Sequence, residues 1–467
     1  MKAKLSKNLP TNVAAASARS CYSSTIVTPE KVENWEKKVP LLKDLFKSGH
    51  HTTMQHTTFT FEIEGMSRLL IWRLLHSHAH YNSDQVSQRY AKIGLDESTY
   101  YYPESVDKDK TQVLFAKLHK AYTQLTEKLT AIYEKDENKV IQKIANKKAM
   151  EMARYVLPQA TKAHLFHSIN FITALRYIKA ADIIPEADTE AKEFAKIIED
   201  TLIAADPAYE EIILIAKKQN ASFPNMDFSR FPALDIGEDT KVFDITTGHG
   251  LPDSENYANG LNMNALFYPT ETLSSFTIRM RLSLSADAQN QRHRTSLGLR
   301  EPLLVTMYNN TGKTPEDKCY IPDIILQNEE LHEIYMGAIE EAFTFIDDIS
   351  KECNPKDIPY FLPNAFQIEV IEKNDISNFS HKAKLRTCLN AQEEIRDLTE
   401  DIIKQLDKEN LEEIDYLVPP CVSRSRNGIN PACSEGARFC GIKLWKDKKY
   451  EEGDLNVKNR SKEKDGI

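Results

Sequence analysis

The sequence predicts an α+β fold built from two tandem domains, and three observations carry that prediction. The chain has 467 residues, too many for one ordinary core and suited to two. Short strand-like runs are interleaved with long helical patterns. One feature also occurs twice: Leu157-Pro158 ends 23 residues before Ala181, and Leu362-Pro363 ends 23 residues before Arg386. Each pair follows a helical stretch and precedes a strand-then-helix pattern, the mark of an internal repeat.

In chain order, residues 29–48 read as one amphipathic helix after Pro29. Thr57 to Ile63 (TTFTFEI) alternates Thr and Phe and reads as a strand that Gly65 breaks. Met66 to His76 has helical apolar spacing. Residues 109–135 and 138–156 read as long helices, the second ended by Pro158. Lys162 to Ile169 reads as a strand and Asn170 to Ala181 as a helix. Residues 219–262, rich in Pro, Gly, Asp and Asn, read as a linker between domains at 1–218 and 263–467. Ser275 to Leu284 (SFTIRMRLSL) then repeats the strand signal, and Ala286 to Arg294 opens a helix. Residues 325–351 form a long helical pattern, and Phe366 to Ile371 a strand. A helix carrying Arg386 continues through 391–396.

Bulk composition narrows the function. Lys plus Arg is 60 and Asp plus Glu is 69, a net charge of -9, so wrapping of nucleic acid is not expected. A small anion can still bind where arginines concentrate. No run approaches a bilayer-spanning length, and the N-terminus lacks the apolar centre of a signal peptide, so a cytoplasmic protein is expected. Seven cysteines in a reducing compartment argue against a disulfide framework.

Arginine-bearing segments concentrate the chemistry. Gln85-Val86-Ser87-Gln88-Arg89-Tyr90 puts a hydroxyl, an amide and a guanidinium within reach of one phosphate or carboxylate. Alone it also reads as a capped surface turn. Gln289-Asn290-Gln291-Arg292-His293-Arg294 sets two arginines around a histidine, which repel unless an anion or acid is near; the plainer reading is a solvated helix end. Arg386 sits on a helix among Ala, Leu and Lys. Neither Gly312-Lys313-Thr314 nor Gly248-His249-Gly250 completes a phosphate-binding loop. Cys421, Cys433 and Cys440 lie on a Gly- and Pro-rich tail. With Cys388 they could hold a structural zinc, or be buried free thiols.

These residues carry a resemblance. Ser87-Gln88-Arg89-Tyr90, preceded by FTFEIEGMSRLL (59–70), resembles the signature region of flavin-dependent thymidylate synthases. In that family the motif reads Arg-His-Arg, two residues, Ser, one residue, Asn, two residues, Ser, one residue, Arg. Gly49-His50-His51-Thr52 with His56, Ser17 to Tyr22, and Ala153-Arg154-Tyr155-Val156-Leu157-Pro158 resemble three further family segments. The second half is similar through Gln289, Arg292-His293-Arg294, and Leu385-Arg386 with Ala391 to Ile395.

The departures are as informative as the matches. The first half holds His76-Ser77-His78 or Ser77-His78-Ala79 in place of Arg-His-Arg, and Ala181 at the family's catalytic arginine. The second half keeps Arg-His-Arg, but Pro302 and Leu304 replace the Ser and Arg of the tail, and Pro359 the helix-end arginine. The losses respect the boundary along which family subunits share a site.

The resemblance therefore implies two family domains, each a small antiparallel or mixed sheet packed with long helices, folded on one another as a pseudo-dimer. It implies a homodimer of such chains as a pseudo-tetramer. It implies dUMP methylation with methylenetetrahydrofolate, FAD and NADPH. Gln85, Ser87, Gln88, Arg89, Tyr90 and Arg154 from the first half would bind dUMP together with Gln289 and Arg292 from the second. Arg386 would be catalytic. His50, Thr52, His78, Asn170, His293, Arg294 and His381 would face FAD. A catalytically impaired nucleotide- or flavin-binding paralogue, or a different one-carbon transfer to a pyrimidine nucleotide, stays open from sequence.

Overall fold

The computed structural model describes residues 1–8, 10–76, 80–248, 255, 274–296, 298–409 and 411–447. His78 and the His249-Gly250 pair lie outside them. Two four-stranded antiparallel sheets are present. The first comprises β1 (Lys2–Asn8), β2 (Thr58–Ser67), β3 (Tyr81–Gln85) and β4 (Lys162–Asn170). The second comprises β5 (Thr240–Thr246), β6 (Ser275–Ser283), β7 (Gly298–Arg300) and β8 (Gln367–Asp375). Their orders, β1-β2-β4-β3 and β5-β6-β8-β7, are the same. The faint sequence repeat is thus a repeat of topology, and the α+β expectation holds.

Alternation builds the sheets. In β2, Phe59, Phe61 and Ile63 are buried while their neighbours are exposed or half-buried. Gly65 does not end this strand. Its φ of +75° absorbs a shift of register between Glu64 and Met66, and pairing resumes to Ser67 opposite Lys162. In the second half Ser283 pairs with Gln367 at the matching place. Both serines then cap the helix that follows, Ser67 accepting from Leu70 N at 3.0 Å and Ser283 from Ala286 N at 3.0 Å.

The two halves meet at the repeated Leu-Pro pairs. Gln159 N donates to Leu362 O (2.9 Å) and Ala160 N to Tyr360 O (2.8 Å). Reciprocally, Asn364 N donates to Leu157 O (2.8 Å) and Ala365 N to Tyr155 O (2.9 Å). Each element bonds its own repeat, as in an isologous interface about a local two-fold axis. Two buried glutamates obey the same symmetry. Glu190 accepts from Ser67 and, across the axis, from Tyr360 Oη (2.7 Å). Glu394 accepts from Ser283 and from Tyr155 Oη (2.7 Å). Burial raises both carboxyls to about 7.

Several expected helices are shorter. The 29–48 pattern divides into Pro29–Val32 and Lys38–Lys47, because Pro40 is tolerated only in a first turn. The 66–76 run starts at Arg68 and widens into a π-helical turn over Ile71–Leu75. Non-helical Ile144 splits the 138–156 pattern into Lys139–Lys143 and Ala145–Ala153. The 325–351 pattern restarts at Glu329, where Asn328 caps it. The helix carrying Arg386 ends there, and a new one starts at Glu393. The stretch read as a linker contains β5, which pairs with β6, so the second sheet reaches back to Thr240.

Candidate active site between the halves

The loop after β3 is closed locally. Ser87 O accepts from Tyr90 N (3.1 Å) and Ala91 N (2.9 Å), and Ser87 Oγ from Arg89 N (3.2 Å). This aims the Arg89 guanidinium at the second half. It pairs with Glu151 and donates through Nη2 to Asn390 O at 2.7 Å. That carbonyl is free because the helix stops at Arg386. Gln88 is buried, and its Oε1 accepts from Asn364 of the other half at 3.2 Å. Gln85 closes β3 opposite Leu165, and Tyr90 is exposed.

The remaining groups converge from both halves. Arg154, buried in a single 3-10 turn, donates to Gln392 Oε1, and Gln289 Nε2 donates to the same oxygen. Arg386 Nη2 donates to Gln289 O at 2.7 Å, and its Nε to His293 Nε2 at 3.1 Å. That nitrogen can accept only while unprotonated. Burial, and then Arg386 beside it, hold His293 well below the ordinary histidine range, which fulfils the condition. Arg292 crosses to donate to Ser83 O. Gln88, Arg89 and Arg154 of the first half are therefore brought together with Gln289, Arg292 and Arg386 of the second.

Electrostatics give that place a sign. Burial, then Arg89 and Arg292, lower Arg386 to about 10. Burial, then Arg154 and Arg292, lower Arg68 to about 9. Burial also lowers Arg154 and Arg292. Arg68 and Arg386 stay cationic at neutral pH, and the arginines among the causes of their shifts mark positive charge crowded there. Nε of Arg68, Nε of Arg154 and Nε2 of Gln88 are buried with no hydrogen-bond partner among the described residues. Orphaned donors beside crowded cations fit a bound anion. By contrast, a cavity of about 640 Å³ along β5 is walled by Glu238, Asp239, Asp397 and Asp401, the wrong sign for a nucleotide.

Sequence reasoning missed Arg68, Gln392, Glu151 and Asn364. Arg68 left a signal, a guanidinium opening a mainly apolar run that holds one more at Arg73. Gln392 lay in the family-similar segment Ala391 to Ile395 without a role of its own, and Asn364 left no signal, since both act through contacts across the two-fold axis.

The residues expected at FAD divide into two groups. The His293 and His381 rings meet edge to face at 5.7 Å. The Arg294 guanidinium lies 4.8 Å from the Tyr81 ring centroid, with its Nε buried and unpartnered among the described residues. His50 and Thr52 are exposed on the turn that packs against β4 and the Phe171–Ala180 helix. Asn170 caps that helix, accepting from Thr173 N at 2.9 Å. The positive charge of Arg294 at this edge fits an anionic cofactor, and neutral His293 lies beside it.

Cys388, Cys421, Cys433 and Cys440 line one cavity of about 190 Å³ beside Arg89 and Arg386. Yet among the described residues no three His, Cys, Asp or Glu groups are placed to hold a metal ion. This arrangement gives the zinc expectation no support, and the four cysteines are free thiols here. Burial raises Cys388, and burial with the neighbouring thiols raises Cys421 to about 11, so without an ion both are protonated. Among the described residues no helix is long and apolar enough to cross a membrane.

The family model described as "Thymidylate synthase complementing protein" matches residues 4–208 and 267–410. The flavin-dependent thymidylate synthase of Clostridium tetani is 36% identical over 177 residues, 36% of this chain and 69% of that protein. Its counterpart from Mycobacterium marinum is 30% identical over 202 residues, 41% of this chain and 74% of that protein. A crystal structure of thymidylate synthase X from Helicobacter pylori with FAD and dUMP is 19% identical. It covers 47% of this chain and 100% of its own, with a TM-score of 0.35, a likeness too slight to carry an argument. The two matched segments together span most of the sequence, and the chain belongs to the flavin-dependent thymidylate synthase family in a tandem, diverged double-domain form.

Proposed function

We propose that the chain catalyses flavin-dependent reductive methylation of dUMP to dTMP, with methylenetetrahydrofolate as one-carbon donor and NADPH as reductant. The site is composite, one per chain, and two chains pair as a pseudo-tetramer. One observation carries this reading: Arg89 and Arg154 of the first half converge with Gln289, Arg292 and Arg386 of the second.

Arg89, Arg154 and Arg292 neutralise the nucleotide's 5′-phosphate and fix its position, with Ser87, Gln88 and Gln85 shaping the loop around it. Arg386 lies along the uracil edge and stabilises the negative charge that builds as carbon 5 becomes nucleophilic. Its direction is set by His293, which accepts from its Nε, and by the Gln289 carbonyl. His293, Arg294 and His381, with His50, Thr52 and Asn170 at the sheet end, hold FAD. The reduced flavin supplies the hydride when bound. No enzyme nucleophile is required.

Tritium release from 5-position-labelled dUMP tests the proposal. With FAD, NADPH and methylenetetrahydrofolate, release is expected; purified protein that releases none and retains no flavin absorbance refutes it.

A further inference from the structure

The local two-fold axis creates a second interface, related to the candidate site by exchange of the halves. Counting from the paired caps Ser67 and Ser283 sets Arg68 against Leu284, Arg73 against Gln289 and His76 against Arg292. Counting from the matched ends of β3 and β7 sets Gln88 against Leu303 and Arg89 against Leu304. The Leu-Pro pairs set Arg154 against Pro359 and Arg386 against Ala181. The second interface thus has Leu284, His76, Leu304, Pro359 and Ala181 where the first has five arginines.

What it has instead is a carboxylate of its own. Glu186 is fully buried. Its Oε2 lies 2.6 Å from Arg73 Nε, and its Oε1 accepts from Arg73 Nη2 at 3.0 Å and from the Leu303 backbone N–H. Arg73 stands at the Gln289 position and Leu303 at the Gln88 position, which in the first interface surround the anion place. Arg73 Nη2 also donates to Glu301 O at 2.7 Å. Trp72, Arg73, Ala180, Gln291 and Arg300 wall a cavity of about 290 Å³ there, closed over by Phe223 and Met226. The other cation, Arg300, is bound on two nitrogens by buried Asp287. Among the described residues of this interface, Arg73 and Arg300 each have their own acid.

We propose that the Glu186 carboxylate is the resident anion of this second interface, held by Arg73 and the Leu303 N–H where the first interface takes a substrate phosphate. The chain therefore binds one nucleotide and not two. This rests on the first interface being the dUMP site. A permanent tenant also explains how the cation set could be lost there without unfolding the halves: the buried guanidiniums Arg73 and Arg300 are both paired, and an unpaired one would be costly.

Two measurements on the FAD-loaded full chain test it. Equilibrium dialysis with labelled dUMP should saturate at one per chain; two per chain overturns the proposal, whereas none rejects the nucleotide reading of the first interface. Glu186→Ala should lower Tm, and with dUMP saturating, inorganic phosphate or formate should raise it again by at least about 2 °C. Wild type and the Arg73→Leu/Glu186→Leu double variant should not respond. An equal response in all three, or none in Glu186→Ala, overturns the proposal. The dialysis needs no variant, and its two-per-chain outcome overturns the proposal even if Glu186→Ala does not fold.

Discussion

The two interfaces between the halves share a backbone and differ in charge. In one, Arg68, Arg89, Arg154, Arg292 and Arg386 crowd together, and neighbouring arginines add to burial in lowering Arg68, Arg154 and Arg386. In the other, Arg73 and Arg300 each face a buried acid, Glu186 and Asp287. A homo-oligomer must keep both copies of a site, since one sequence serves both. A fused chain need not. Each half here has lost what the other retains, so duplication released the interfaces to take opposite electrostatic roles while the reciprocal Leu-Pro hydrogen bonds kept their geometry.

The largest effect expected from breaking this asymmetry is at Arg386. Arg386→Ala should lower kcat for tritium release on the order of 100-fold or more, as removal of a preorganised charge stabiliser does. Ala181→Ser, at the matching place, should leave kcat within about twofold. Next is Arg154→Met. It should raise KM for dUMP by roughly 10- to 100-fold, the loss of one charge-assisted phosphate contact of about 1.5–3 kcal/mol. Circular dichroism would check that the variant folds.

A third prediction concerns what the interfaces share. Glu190 and Glu394 have carboxyls raised to about 7 in the folded chain, against an ordinary 4.5. The folded state therefore binds protons more tightly. The stability they contribute is complete below pH 4.5 and is lost as pH rises to about 7. Tm should fall across that window, on the order of 1–3 kcal/mol per carboxyl, and the Glu190→Gln/Glu394→Gln variant should flatten it. Because both interfaces carry this pair, the single variants should give similar changes. A smaller effect is expected at Gly298, where an added Cβ would lie 2.5 Å from Arg300 Nη1 and 2.7 Å from Val370 Cγ1. Gly298→Ala should cost about 1–3 kcal/mol in chemical denaturation, with KM for dUMP unchanged.

Much of this was legible in the sequence because it is local. The Phe-Thr alternation of 57–63 and the run at 275–284 announced the central strands, and the 23-residue spacing announced the repeat. Resemblance to the family's motifs marked Arg89, Arg292 and Arg386 before any contact was known. What was not legible depends on pairing at a distance. Gly65 reads as a breaker until its partner strand shows a bulge. The strand β5 hides in a Pro- and Gly-rich stretch because an edge strand with one neighbour needs little apolar alternation. Glu186 sits in a turn and reads as a surface acid, and only the fold brings Arg73 to it.

The most direct test is the kcat/KM for tritium release in Arg89→Ala. Arg89 belongs to the first half, whereas Arg386 and Gln289 belong to the second. If a nucleotide is held jointly, losing this one side chain should lower kcat/KM on the order of 100-fold, while Leu304→Ala, at the matching place, leaves it near wild type. An Arg89→Ala enzyme as fast as wild type would contradict the joint site.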